Sequence, residues 1–168
     1  KEVHLNAWLV QNGFMTLRAG QTECQGLFDN VQWSGTKAYA VGFNSIYLNR
    51  KGREREGIVT DDNIESTKKA LSEKLITLMD NGVKVVSKVY DTRELYGGEP
   101  LINEPDLIIG YNKAYRSSSQ SAIGQIKAGP VIENNLKKWS GDHCSEAEAV
   151  PGIFFSNEYG KYSYKILN

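Results

Sequence analysis

Residues 61–90, DDNIESTKKALSEKLITLMDNGVKVVSKVY, decide the fold class of this chain. In the first two thirds of the stretch, apolar residues recur at helical spacing: Ile64, Ala70-Leu71, Leu75, Leu78 and Met79. Acidic or amide side chains stand at its start and can cap a helix, and the Asn81-Gly82 pair stands where a helix would end. The pattern therefore predicts a scaffold helix that runs to about residue 80.

Strand-like segments lie on both sides of this helix. Val83–Tyr90 is rich in β-branched residues, and Leu107–Tyr111 is a short apolar run typical of a buried strand. Earlier in the chain, residues 38–42 and 45–49 are β-rich runs separated by Gly42-Phe43-Asn44, which predicts a hairpin or two consecutive strands. We therefore expect a single α/β domain, residues 1–168, with a mixed sheet flanked by helices.

Other segments carry weaker signals. Asn6 can cap a short helix that stops at Gly13, and Ile58-Val59 can form a short strand. The mixed-charge run 50–57 predicts a solvated turn. The alternative hypothesis is that its arginines bind phosphate. Residues 112–129 are polar and serine-rich, and they predict a mobile loop over one face.

Composition excludes several classes of partner. Twenty basic and twenty acidic residues cancel, so no overall field favours nucleic acid or an anionic membrane. No apolar run approaches the roughly 20 residues that span a bilayer. Cys24 and Cys144 lack the spacing of a metal site or disulfide framework, which favours free thiols in a reducing, cytoplasmic compartment.

The most ligand-like residues lie in Trp139–Asn157, WSGDHCSEAEAVPGIFFSN. His143 can bind a divalent metal through a ring nitrogen, and Asp142 can bind one or orient the histidine. The plainer alternative is a turn capped by Asp142 with a half-exposed His143, because one such pair lacks the three or four ligands of a metal site. A thiol nucleophile, Cys144 activated by His143, is a third and weaker hypothesis.

Lys113, Tyr115 and Arg116 follow the predicted strand Leu107–Tyr111, and α/β sheets often place ligand contacts at the carboxyl ends of their strands. Arg116 can pair with a phosphate oxygen and Tyr115 can stack on a base. A packed Tyr115 and a solvated Arg116 fit the sequence equally well.

Four segments occur in a particular order: HLNAWL at residues 4–9, WSGTKAYAVGFNSIYLNRKGREREG at 33–57, PDLIIGYNKAYRSS at 105–118, and the stretch 139–157. Together they resemble the C-terminal part of the type I phosphodiesterase/nucleotide pyrophosphatase branch of the alkaline phosphatase superfamily. The resemblance implies an alkaline-phosphatase-like α/β sandwich. It also implies two divalent metal ions, zinc or manganese, which activate a Thr or Ser nucleophile. His143 matches the last histidine ligand, and its neighbour Asp142 is a candidate to orient that histidine rather than to bind the metal.

The chain departs from this family in what it lacks. The nucleophile and most of the Asp and His ligands would lie before His4. We therefore expect a C-terminal fragment that supplies one ligand and part of the pocket wall, binds no metal stably alone, and needs the missing N-terminal part to act on a phosphate ester or nucleotide. The alternative is a non-catalytic binding module that has lost the nucleophile and the metal sites.

Overall fold

The structure of the protein is a computed structural model that describes residues 1–97, 103–138, 145–149 and 157. Its strands are β1 (Glu2–Val3), β2 (Ala38–Ala40), β3 (Ser45–Leu48), β4 (Met79–Asp80), β5 (Val83–Lys84), β6 (Val86–Asp91), β7 (Leu107–Tyr111), β8 (Arg116–Ser117) and β9 (Ile132–Glu133). Its α-helices are α1 (Leu5–Gln11), α2 (Asp61–Ile76), α3 (Thr92–Tyr96) and α4 (Ser119–Ala122). The chain is thus a mixed α/β protein, as its sequence predicts.

The largest sheet has four strands in the order β2-β3-β7-β6, and every neighbouring pair is antiparallel. β2 and β3 form the predicted hairpin, with Tyr39 opposite Tyr47. β7 occupies an interior position and is almost entirely buried, which agrees with its apolar sequence. The candidate substrate-binding residues follow its carboxyl end, at Tyr111, in the sequence.

Helix α2 starts close to the predicted position, but its N-cap is Thr60 rather than one of residues 61–63, and it ends at Ile76 rather than near residue 80. The next residues form the β4–β5 hairpin, in which Met79 pairs with Lys84. Asn81 and Gly82 both have positive φ and make the turn of this hairpin. An Asn-Gly pair can either end a helix or form a hairpin turn. The interpretation of Asn81-Gly82 as a helix terminus was therefore wrong.

The segment 112–129 contains β8 and α4, where its composition suggested only loop. β8 pairs in parallel with β1, and β9 pairs antiparallel with the other side of β1, giving a three-stranded sheet. Ser118 caps α4 by accepting a hydrogen bond from the Ser121 amide at 3.1 Å, and both serines are buried. Local side-chain hydrogen bonds thus order a polar segment that has few apolar residues.

The core lies where α1 and α2 pack on the four-stranded sheet. Leu9, Leu71 and Ile46 are fully buried there, and Trp8 stacks on Phe14 with ring centroids 5.9 Å apart. Trp8 is itself buried in this core. No helix in the described ranges is long and apolar enough to cross a membrane.

Two short segments differ from the sequence-based expectation. Asn6 lies inside α1, whose N-cap is His4, so Asn6 does not cap the helix. Ile58 and Val59 belong to no strand, and Val59 forms only an isolated bridge with Arg50. In both places, tertiary contacts override a local preference.

Candidate functional site

The carboxyl end of β7 is contacted by the described residues that directly follow the histidine motif. His143, Asp142 and Cys144 lie outside the described residues, as does Trp139. Ser145 is described, and it forms a parallel bridge with Tyr111 at the last position of β7. The backbone N–H of Glu146 donates to the Tyr111 carbonyl at 3.1 Å. The chain that directly follows the histidine motif is therefore hydrogen-bonded to this end of β7.

The three predicted substrate-binding residues follow the same strand end in the chain, but their side chains have different surroundings. Lys113 is exposed, and its ammonium takes part in no hydrogen bond or ion pair within the part of the chain that the structure describes. Tyr115 is 7% exposed, and its hydroxyl donates to Asp80 Oδ2 at 2.9 Å. Arg116 lies in β8 in register with Glu2. Of the three side chains, that of Lys113 is the one in open solvent.

Tyr115 is consequently a poor stacking platform. Burial, followed by its hydrogen bond to Asp80, raises the pKa of the phenol above its ordinary value. The Lys1 ammonium, 2.5 Å from the same carboxylate, lowers the pKa of Asp80. This Lys1–Asp80–Tyr115 chain joins the start of the chain to the β4–β5 hairpin and to the loop before β8, so the packed alternative for Tyr115 is the one that the structure supports.

Glu146 is buried at the end of β7, with 3% of its surface exposed. One carboxylate oxygen accepts a short hydrogen bond from the Tyr90 hydroxyl on β6. The other oxygen, Oε2, is buried and has no hydrogen-bond partner among the described residues. It lies over Gly110, where a Cβ would overlap it. The absent side chain at Gly110 therefore creates the slot that Glu146 fills.

A second group of charged residues lies on the three-stranded sheet. His4 is 2% exposed, and its Nε2 is 3.1 Å from Glu133 Oε2. Lys127 donates to both oxygens of Glu133, at 2.7 and 2.6 Å, and lowers the pKa of that carboxyl. Lys137 binds the neighbouring Glu2 at 3.0 Å. Each of the two carboxylates, Glu2 and Glu133, is thus paired with a lysine, so their negative charges are neutralised within the group.

Sequence reasoning missed this group because its members are far apart in the chain. His4 and Glu133 are 129 residues apart, and Glu2 and Lys137 are 135 residues apart. His4 also stands in an apolar context, which indicates a core histidine rather than one member of an ion network. No pattern within a sequence window could have joined these residues.

Of the three arginines in residues 50–57, Arg50 and Arg53 pair with carboxylates of the protein, whereas Arg55 is exposed. Arg53 donates to Asp106 Oδ2 at 2.6 Å and to Glu54 Oε1 at 2.7 Å, and its side chain is only 16% exposed. These two carboxylates raise the pKa of Arg53, against the opposing effect of burial. Arg50 lies 3.7 Å from Asp106. Both the solvated turn and the phosphate-binding hypothesis fit these contacts less well than a structural ion network does.

Two open cavities lie away from the end of β7. One, of about 330 Å³, lies between α2 and the loop around Phe14 and Lys37. The other, of about 590 Å³, lies between the carboxyl ends of α1 and α2 and the residues 130–132. Two hydroxyl groups that line the first cavity form hydrogen bonds within α2: those of Ser66 and Thr67 both donate to the Asn63 carbonyl.

Within residues 1–97, 103–138, 145–149 and 157, no three His, Cys, Asp or Glu side chains form a group that could hold a metal ion. Cys24 is buried and unpaired by a disulfide, and burial raises the pKa of its thiol. A buried, protonated thiol of this kind is chemically inert.

The chain matches no family model, no curated protein and no solved structure. The candidate site therefore rests on the geometry at the end of β7 and on the motifs of the sequence.

Proposed function

We propose that this chain is the C-terminal part of a metal-dependent phosphodiesterase or nucleotide pyrophosphatase-like hydrolase with an alkaline-phosphatase-like α/β sandwich. In this proposal His143 is one ligand of a two-metal centre that holds zinc or manganese. Asp142 assists that ligand, and the remaining ligands and the nucleophile come from a preceding part of the same protein. The isolated chain is inactive.

The bridge between Ser145 and Tyr111 is the observation that carries the proposal. An extended chain advances at most about 3.6 Å per residue, so the Cα of His143 can be no more than about 7 Å from that of Ser145. The chain that carries the candidate ligand therefore leads, within two residues, into a backbone contact with the end of a buried strand.

The exposed ammonium of Lys113 supports the same proposal. It follows β7 by two residues and is available to a ligand at this strand end. A phosphate ester carries negative charge that a lysine can attract as a point charge. One imidazole and one ammonium are not sufficient for catalysis. They can line part of a pocket in which bound metal ions would act as the Lewis acid.

The test is hydrolysis of bis(p-nitrophenyl) phosphate with added zinc or manganese. Two proteins are compared: this chain, and a longer protein that includes the preceding sequence. The proposal expects no turnover by the chain alone and metal-dependent turnover by the longer protein.

His143→Ala should abolish that turnover in the longer protein. His4→Gln is the matched control, because His4 is the only other histidine and lies in the charge-balanced group with Glu133. Turnover by the isolated chain would contradict the proposal. If the longer protein binds a nucleotide but hydrolyses no phosphate ester, the non-catalytic binding module is the better interpretation.

A further inference from the structure

We propose that Asn81 is a site of spontaneous chemical modification, at which deamidation to isoaspartate loosens the β4–β5 hairpin. An asparagine that precedes glycine is prone to deamidation, because glycine has no side chain to hinder attack by its own backbone nitrogen. The chain contains two such pairs, Asn12-Gly13 and Asn81-Gly82. The structure gives these two pairs different surroundings, and this difference selects Asn81. The proposal is independent of the proposed function.

The reaction involves only the chain itself and water. The backbone nitrogen of Gly82 attacks the side-chain carbonyl carbon of Asn81, so that a C–N bond forms and the bond to the side-chain NH2 breaks. That NH2 group leaves as ammonia with the amide proton of Gly82, and a five-membered succinimide remains. Water then opens the ring at one of its two carbonyl groups. One product is aspartate, and the other is isoaspartate, whose backbone is one carbon longer.

Asn81 lies in a turn that opens easily. Both Asn81 and Gly82 are exposed and have left-handed backbone conformations, with φ values of 49° and 82°. The side-chain amide of Asn81 donates to Asp80 Oδ1 at 3.1 Å, and this bond is exposed to solvent. The hairpin has two strands of two residues each, and Met79 and Val83 are about half exposed. Because isolated two-stranded hairpins are marginally stable, the rotations that bring the reacting atoms together cost little free energy.

Asn12 has the same glycine neighbour but is held in place. It is the half-buried C-cap of α1, and its side-chain amide donates to the Trp8 carbonyl at 2.9 Å. The backbone N–H of Gly13, which contains the attacking nitrogen, donates to the Val10 carbonyl at 3.1 Å. Both reacting groups are therefore hydrogen-bonded to the last turn of a helix that packs in the core. Deamidation of Asn12 requires this turn to unfold.

Isoaspartate at position 81 changes the length of the hairpin turn. The two-residue loop determines which residues of β4 and β5 face each other, and it places Asp80 opposite Val83. Beyond this pair, the backbone N–H of Val85 donates to the Leu78 carbonyl at 3.0 Å. One additional backbone carbon in the loop disturbs this register. The isoaspartate product should therefore weaken the hydrogen bond of Val85.

The first experiment compares the two asparagines within one sample. The folded chain is incubated at mildly alkaline pH and digested with trypsin, which places Asn12 in residues 2–18 and Asn81 in residues 75–84. Mass spectrometry then gives the rate of deamidation at each position. Asn81 should react at least about tenfold faster, because two hydrogen bonds protect Asn12 and each corresponds to a factor of about five.

The same comparison in urea shows whether the structure is responsible. In the unfolded chain the two rates should become similar, because each asparagine then has only its glycine neighbour. Equal rates in the folded chain would overturn the assignment of Asn81. An unchanged ratio in urea would also overturn it, because neighbouring residues rather than the fold would then determine the rate.

The second experiment tests the loosening of the hairpin, with Asn81→Asp as the matched control. Asp-Gly favours the same turn type, and this variant adds the charge of the product without lengthening the backbone. The isoaspartate chain, isolated by chromatography, should lose protection of the Val85 amide against hydrogen exchange. Asn81→Asp should retain that protection. Unchanged protection in the isoaspartate chain, or an equal loss in Asn81→Asp, would contradict the effect of backbone length.

Discussion

The side-chain amide of Asn6 pairs with the backbone of Ala40 as a neighbouring strand would. Its Oδ1 accepts from the Ala40 N–H at 2.8 Å, and its Nδ2 donates to the Ala40 carbonyl at 2.9 Å. Ala40 is the last residue of β2, the edge strand of the four-stranded sheet. A residue of α1 therefore satisfies backbone groups that an open edge would otherwise present to another chain.

Asn6→Ala should destabilise the protein by about 3 kcal/mol, because it leaves a buried N–H and a buried C=O without partners, at about 1–3 kcal/mol each. The measurement is the free energy of unfolding from urea denaturation. Asn12→Ala is the matched control: Asn12 is the C-cap at the other end of the same helix, half-buried, with one side-chain bond to the Trp8 carbonyl. Its loss should be below about 1 kcal/mol, and equal losses for the two variants would contradict the role of Asn6.

Asp106→Ala should cost about 3 kcal/mol in the free energy of unfolding, because it leaves the half-buried guanidinium of Arg53 without its closest partner. Asp106 also accepts from the Leu48 N–H at 2.7 Å, a bond that alanine cannot replace. The value is at the low end for a broken buried pair because Arg53 keeps Glu54.

The control for this variant is Asp61→Ala. The Asp61 side chain is 90% exposed and lies 3.9 Å from Arg50, so its loss should cost less than about 1 kcal/mol. Chemical denaturation at neutral pH compares the two variants directly. A loss at Asp106 as small as that at Asp61 would show that the ion network contributes little to stability.

The phenol of Tyr90 should titrate near pH 12 in the folded protein, mainly because its hydrogen bond to Glu146 favours the protonated form. Because this pKa lies above the ordinary value of 10.0, the associated stability is fully present below pH 10 and is lost as the pH rises through 12. Tyr90→Phe should therefore flatten the decline of stability in this window. NMR of ¹³C-labelled tyrosine measures the pKa directly, and Glu146→Ala should return it toward the ordinary value.

Lys113 and Tyr115 should respond differently to mutation in the longer protein. Lys113→Ala should raise KM for a phosphodiester several-fold with little change in kcat, because its exposed ammonium is available to the substrate in both the ground state and the transition state. Tyr115→Phe should leave KM unchanged and lower stability, because its hydroxyl is bonded to Asp80. The opposite pattern would assign substrate binding to Tyr115.

The sequence alone predicted the elements whose information is local. The β2–β3 hairpin, the buried strand β7 and the approximate start of α2 follow from periodicity, β-branched content and turn residues over short windows. Gly13 also ends α1 as predicted, with a positive φ of 74°. These features agree with the structure because neighbours along the chain determine them.

Other features depend on partners that are distant in the chain. Asn6 and Ala40 are 34 residues apart, and Arg53 and Asp106 are 53 residues apart. Read locally, Asn6 was a helix cap and Arg53 belonged to a solvated turn. Burial of each polar group requires a specific partner, and only the tertiary structure determines which residue provides it.

In the candidate site, too, some features were predicted from the sequence and others depend on the tertiary structure. Sequence motifs by themselves pointed to His143, Asp142 and the residues that follow β7. The tertiary structure decided that Ser145 and Glu146 are held at the end of that strand, that Lys113 is exposed while the Tyr115 hydroxyl is occupied, and that Gly110 makes room for a buried carboxylate. A motif names residue types, whereas the space and hydrogen-bond partners available to each side chain arise only when the strands pack together.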